Sequence, residues 1–369
     1  MLQLKQVINK PNFFKVQQCF PVVIQKRHES NPKLETEKGP KHPVNHCLLM
    51  GYAGFKYYGM EYQKTVETVE QKLFNAMLEN KWITKSDYYK TRRIRYEHAS
   101  RTDSGVSAAR QCCSLFLPVG VNVQELNSKL PDDIRVFGLK QVVSGFHARY
   151  YCRSRTYTYT LPSIAFSHYN DQASQREYRL SSDKLKLVNE LLQLYKGLLN
   201  FHNFTIKKLY SDKLSRRKML HLECTPPFLV DDVEFCVIRI QGSSFMMHQI
   251  RKMIGFFLAV VRGVIDKSLF DLVFTDRIIN CPTAPGLGLV LESLSYEDYN
   301  KHYSGIYEAL TWEEYDEDVK QFHEKFIQQS IVQTEIRDEI TLQWVEQLLN
   351  YPYIPVDGDI TSNIHKAYI

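Results

Sequence analysis

The chain has 369 residues, 44% of them hydrophobic, and carries 47 Lys and Arg against 41 Asp and Glu, a net charge of +6. That length supports a large core built as two or three structural units. The longest apolar run, Met253 to Val261, falls well short of the ~20 residues a membrane-spanning helix needs, so no transmembrane segment is expected. The eight cysteines include no CxxC pair, which fits buried thiols in a reducing compartment.

Charge is unevenly spread. Residues 311 to 369 hold twelve acidic against four basic side chains, net −8, leaving residues 1 to 310 at +14. A basic body suits a polyanion such as RNA, because each neutralised phosphate releases counterions, although solvated lysines alone give the same count. Residues 1 to 28 contain no acid and five Lys or Arg, and Ser30 to Pro43 is polar and proline-rich, so residues 1–44 read as a basic, flexible tail. Pro11 and Pro21 interrupt any targeting helix, and Lys26-Arg27 is too short for a clear nuclear cluster.

In chain order, the pattern predicts a strand over 46–52 and a helix presenting Val66, Val69, Leu73, Ala76 and Met77, with Thr65 as its N-cap. Strands come next near 93–98 and 111–117, then a short helix near 123–129 and a strand near 134–138. A second round gives strand 151–161, helix 183–196, strands 218–225 and 233–240, helix 246–262 and strand 288–294. The repeated β-α-β-β-α-β order predicts an α+β fold of two ferredoxin-like (RRM-like) halves, over 45–145 and 146–310, forming one continuous mixed sheet with flanking helices and a central cleft. Trp312, Tyr315, Val319, Phe322 and Phe326 recur at helical spacing, so residues 311–369 are expected as an acidic helical extension packed on the body.

Several short segments carry chemistry. Arg101 and Asp103 lie two residues apart in Ala99-Ser100-Arg101-Thr102-Asp103-Ser104-Gly105, so in an extended approach to the turn their side chains share one side. Taken alone, Asp-Ser-Gly is ordinary turn chemistry. In the strand 151–161, Tyr151, Arg153, Arg155, Tyr157 and Tyr159 alternate onto one face; such a face can stack bases at ~1–3 kcal/mol each, or simply cover a sheet. His147, His202 and His248 match no compact ligand spacing, and Gly51-Tyr52-Ala53-Gly54 lacks the third glycine of a dinucleotide fingerprint, so no metal and no cofactor are expected.

Together with Phe146-His147-Ala148-Arg149-Tyr150, Arg155-Thr156-Tyr157, Phe245-Met246-Met247-His248-Gln249-Ile250-Arg251 and Pro285-Gly286-Leu287-Gly288, the Asp103 segment forms an ordered set that resembles the TruA-type tRNA pseudouridine synthases. The resemblance runs from about Cys47 to about Glu292. Gly59-Met60, Val106-Ser107-Ala108 and Met246-Met247-His248-Gln249 resemble the eukaryotic multisite branch. Ser104 stands where that branch usually has lysine, and Glu61 where it usually has glutamine.

The resemblance implies a cofactor-independent isomerase that breaks the N1–ribose bond of uridine, turns the uracil and rejoins it through C5, in and around the anticodon stem of tRNA. snRNA or mRNA would be further substrates, a monomer is favoured, and the nucleus is the expected compartment with the mitochondrion as alternative. Asp103 is implied as the catalytic carboxylate, acting either as nucleophile or as a base on the ribose. No neighbouring acid matches the second carboxylate a retaining glycosidase uses, which favours isomerisation over hydrolysis. Arg101 is implied to flip the nucleotide, Tyr157 to stack on uracil and assist proton movement at C5, Arg251 to hold Asp103 ionised, and Leu287 to pack beneath the base; Arg153 and Arg155 would hold phosphates. The rival readings are the sister branch modifying the anticodon loop and a catalytically silent RNA-binding or RNA-folding protein.

Overall fold

The run Cys47-Leu48-Leu49-Met50 is apolar on consecutive residues, the signature of a strand covered on both faces. It lies in β1, Val44–Tyr52, whose alternate residues enter two different cores: Leu48, Met50 and Tyr52 on one face, Cys47 and Leu49 on the other. The computed structural model describes residues 43–354.

Among the described residues, nine further strands join β1 in one mixed sheet: β2 Glu97–His98, β3 Ser107–Leu117, β4 Ile134–Gln141, β5 Ser154–Pro162, β6 Gly197–Asn200, β7 Arg216–Cys224, β8 Phe228–Val230, β9 Val233–Gly242 and β10 Leu289–Ser295. The main order is β4-β1-β3-β10-β5-β9-β7-β6, with β2 added to β3 and β8 to β9. The pairings are antiparallel except that of β3 with β10, which meet in parallel through Ser107–Val290 and Ala108–Leu291. At this seam the loops preceding β3 and β10 emerge side by side. They are the Arg101–Asp103 loop and the Gly286–Leu287 loop.

Helices Val69–Glu79, Ser182–Leu192 and Gln249–Val261 cover one face of the sheet through Leu73, Phe74, Val188, Leu191, Phe256 and Phe257. The opposite face is covered by Trp312, Val319, Phe322, Ile327 and Ile331, packed on Leu49, Phe137 and Val290. Phe322 meets Phe137 edge to face at 5.7 Å between ring centres.

Several boundaries differ from expectation, each for a local reason. The first helix is capped by Thr68, whose side chain accepts from the Gln71 amide at 3.3 Å, and not by Thr65. The strand expected from Tyr151 begins at Ser154, because the Tyr151 amide turns back to the His147 carbonyl. The helix expected from Met246 begins at Gln249, since His248 sits in the left-handed region at φ 59°. Of the strand expected over 93–98, only Glu97–His98 pairs; Thr91–Ile94 is a 3₁₀ turn. The stripe after Trp312 is split into a 3₁₀ turn, an α-helix at Asp316–Phe322, a π-helical turn at His323–Gln328 and an α-helix at Gln329–Asp338. The expected basic tail, apart from Pro43 and Val44, and the last part of the acidic extension, 355–369, lie outside the described residues.

Candidate active site

Asp103 occupies a loop fastened on several sides. Gln111, fully buried in β3, accepts from the Ser100 amide at 3.2 Å and donates to its carbonyl at 2.6 Å. Tyr52 and Thr102 share a buried hydroxyl hydrogen bond of 2.8 Å. The strap preceding the first helix closes the outer side: the Met60 amide donates to Thr102 O, and the Gly105 amide donates to Tyr57 O. Gly59 has φ +90° and a Cβ there would stand 2.8 Å from the Thr102 carbonyl, so only glycine fits this crossing. With these backbone groups paired, the loop presents Asp103 in a fixed position.

Two side chains from the start of helix Gln249–Val261 reach this carboxylate. His248 Nδ1 lies 2.9 Å from Asp103 Oδ2, and an Arg251 terminal nitrogen donates to the same oxygen at 3.5 Å. Arg251 is oriented by its Nε, which donates to the Ala284 carbonyl at 2.7 Å. Gly286 completes the wall, since a Cβ there would lie 3.1 Å from Ser104 O and 3.9 Å from the guanidinium carbon of Arg251. The side chains of Asp103, His248 and Arg251 remain 25%, 23% and 17% exposed, so the cluster opens to solvent. Burial pushes the Asp103 carboxyl up, but the hydrogen bond and charge of His248, followed by Arg251, outweigh it and hold the group below its ordinary value. Such a carboxylate is ionised and ready to attack or to accept a proton.

Tyr157 stands behind the loop on β5. Its hydroxyl is 2.5 Å from Ser100 Oγ, its ring packs edge to face on Phe245 at 5.2 Å, and only 4% of the residue is exposed. Burial pushes its hydroxyl up to about 12, with Ser100 and Arg155 opposing. Tyr157 therefore supports the loop and offers no open stacking ring, contrary to the expectation from sequence. Arg101 points outward, 53% exposed, with its Nε 2.9 Å from Glu61 Oε1. Leu287 is half-buried and packs on the core containing Val290.

The aromatic and cationic face expected on β5 is corrected most sharply at Arg155. The residue is 7% exposed, and its guanidinium donates to the carbonyls of Ala99, Arg149, Cys152 and Ser243. It is an internal clamp with no donor left for phosphate. The central position of β5, covered on both faces, is the physical reason: Tyr157, Tyr159 and Leu161 enter the main core, and Tyr159 donates to Pro285 O at 2.9 Å. Arg153 precedes the strand and pairs with Asp298 at 2.5 Å, so it is available at the surface but tied to that acid.

His248 is the site residue that the sequence expectations leave out. Its spacing from the other histidines matches no compact metal-ligand pattern, whereas its position three residues before Arg251 at a helix entry is the signal that it shares the Asp103 side. Among the described residues no group of three or more His, Cys, Asp or Glu is arranged to hold a metal ion. The seven described cysteines are buried and unpaired.

A carboxylate fixed at the seam of a large mixed sheet, with its pKa lowered by side chains from a distant helix, has the chemistry of a general base or a nucleophile. A family model described as tRNA pseudouridine synthase matches residues 191–297. The mouse protein named pseudouridylate synthase 1 homolog is 39% identical over 84% of this chain and 74% of its own length, and the human protein of that name is 39% identical over 82% and 72%. The Yarrowia lipolytica tRNA pseudouridine synthase 1 is 29% identical over 83% of this chain and 74% of its own. The chain belongs to the tRNA pseudouridine synthase family.

Proposed function

We propose that this protein isomerises uridine to pseudouridine in tRNA, in and around the anticodon stem, with Asp103 as the catalytic carboxylate. The observation that carries the assignment of the carboxylate is the meeting of Asp103 with His248 and Arg251 at the mouth of the β3–β10 seam. Isomerisation needs no oxidant and no external energy. It needs one activated carboxylate and a site that keeps water from the detached uracil. The rigid Ser100–Gly105 loop supplies the first, and Leu287 with the surrounding wall supplies an apolar boundary for the base. Arg101, exposed above the loop, would enter the space vacated by the target nucleotide and offset an unstacking cost of a few kcal/mol.

The strand order supports a finer architecture. The succession β1, helix, β2 and β3, helix, β4 on one side of the seam, and β5, helix, β7 and β9, helix, β10 on the other, fits two ferredoxin-like halves joined through β3 and β10. The protein incubated with an unmodified tRNA transcript, without cofactor or nucleotide, should form pseudouridine, mapped by chemical derivatisation and primer extension. Tight tRNA binding without any pseudouridine would favour the silent RNA-binding reading instead.

A further inference from the structure

We infer that His248 is the base that removes the C5 proton after uracil has rejoined the ribose, an inference that rests on the Asp103 reading above. In that last step the nucleobase carries both hydrogen and ribose on C5. The C5–H bond breaks, its electron pair restores the C5=C6 double bond, the C6=N1 pair moves onto N1, and N1 takes a proton from water. The C5 proton must go to a base at the site.

The structure narrows the acceptor. Tyr157, whose hydroxyl the family resemblance pointed to, holds its oxygen against Ser100 and is 4% exposed; its hydroxyl is engaged and turned away from solvent. Asp103 is free again once C5 has bonded to C1′, but its Oδ2 is held by both His248 and Arg251 and the carboxyl lies below its ordinary value, which makes it the weaker base; Arg251 has no acceptor. His248 faces Asp103 through Nδ1 at 2.9 Å, so Nδ1 carries the hydrogen and, in the unprotonated ring the reaction needs, the lone pair is on Nε2. Nε2 has no protein partner among the described residues and is not buried. The left-handed backbone at the helix entry, φ 59°, is what places the ring over the carboxylate. Once Nε2 takes the proton, the imidazolium lies beside Asp103 and is stabilised by it, then returns the proton to water.

The test uses full-length protein and a tRNA transcript carrying deuterium at uridine C5. His248→Asn keeps an amide donor near the Nδ1 position, tolerates the left-handed backbone and removes the base. It should bind tRNA as wild type does, lose about 100-fold in kcat, and show a normal deuterium isotope effect on kcat larger than that of wild type. His248→Gly also accepts this backbone, and free imidazole should restore part of its rate. Unchanged kcat in His248→Asn would overturn the assignment. So would a slow His248→Asn with no enlarged isotope effect and no imidazole rescue of His248→Gly, since that pattern marks a residue that only positions Asp103. An isotope effect that appears in Tyr157→Phe and not in His248→Asn would assign the proton to Tyr157. Asp103→Asn tests the Asp103 reading separately: turnover there would remove that reading, whereas loss of product there with unchanged kcat in His248→Asn would overturn only the His248 assignment.

Discussion

The guanidinium of Arg155 donates twice to the carbonyl of Ala99, at 2.9 and 3.3 Å, and so fastens the segment that carries Asp103 to the middle of the sheet. The same group reaches Arg149 O and Ser243 O, each at 3.1 Å. One planar side chain thus ties three segments around the site.

Arg155→Lys keeps the charge but cannot satisfy these carbonyls together, leaving buried acceptors unpaired at about 1–3 kcal/mol each. The expected outcome is a lower melting temperature and a lower kcat, with the salt dependence of tRNA binding unchanged. A phosphate contact would behave oppositely: affinity and salt slope would fall while the melting temperature held. Thermal melts and binding at two salt concentrations separate the two.

Arg251→Met removes a cation that helps hold the Asp103 carboxyl below its ordinary value. The proposed chemistry needs Asp103 ionised and His248 unprotonated at Nε2, so loss of either form with falling pH contributes to the acidic limb of the rate profile. Without Arg251 that limb should move to higher pH, and the deficit should be larger in acid than in alkali. The same sign governs stability: a carboxyl whose folded pKa is depressed contributes stability above the unfolded pKa and loses it as pH falls through the folded value. The pH dependence of single-turnover rates, read beside that of the melting temperature, checks both.

How much of the site is legible in the sequence depends on whether a residue's surroundings are local. Asp103, Arg251 and Tyr157 stand out as residue types in ordered motifs, and the structure brings all three to one place. Arg155 is not legible as a clamp, because alternation says which residues share a face and not whether that face is covered. His248 is only partly legible as a partner of Asp103: its place three residues before Arg251 puts both near one helix entry, but its left-handed backbone, which starts the helix late, has no signature in residue spacing. The apolar run in β1 identifies a strand, whereas the short β6 and β8 exist through pairing with β7 and β9 and have little pattern of their own. The α+β class with a large mixed sheet is readable from the alternation of periods two and 3.6 along the chain.

Glu61→Gln should release Arg101 from its ion pair. Both partners are about half exposed, so the pair is worth ~0–1 kcal/mol and the gain in tRNA affinity should be less than about fivefold, greatest at low salt. Arg101→Ala in the same background should abolish the gain. An equal gain with and without Arg101 would show that Glu61 acts by repelling phosphate directly.

Trp312 is 3% exposed and receives the Lys140 ammonium 4.8 Å from its ring, on the sheet face opposite helices Val69–Glu79, Ser182–Leu192 and Gln249–Val261. Trp312→Ala should cost about 3–5 kcal/mol of stability through lost packing. Removing residues 311–369 should lower solubility or the melting temperature by exposing the surface around Phe137 and Leu49. If the acidic segment served only to compete with RNA, the 1–310 fragment would keep its melting temperature and bind tRNA more tightly at low salt. Melting curves and affinities of the fragment distinguish these outcomes.

The most direct measurement is pseudouridine formation by Asp103→Asn on a full-length tRNA transcript, alongside its binding affinity. Asparagine keeps the size of the side chain and an oxygen for His248, but neither attacks C1′ nor accepts a ribose proton. The expected result is no detectable pseudouridine with tRNA affinity close to that of wild type. Turnover at the wild-type rate would contradict the assignment of Asp103 as the carboxylate that carries the reaction.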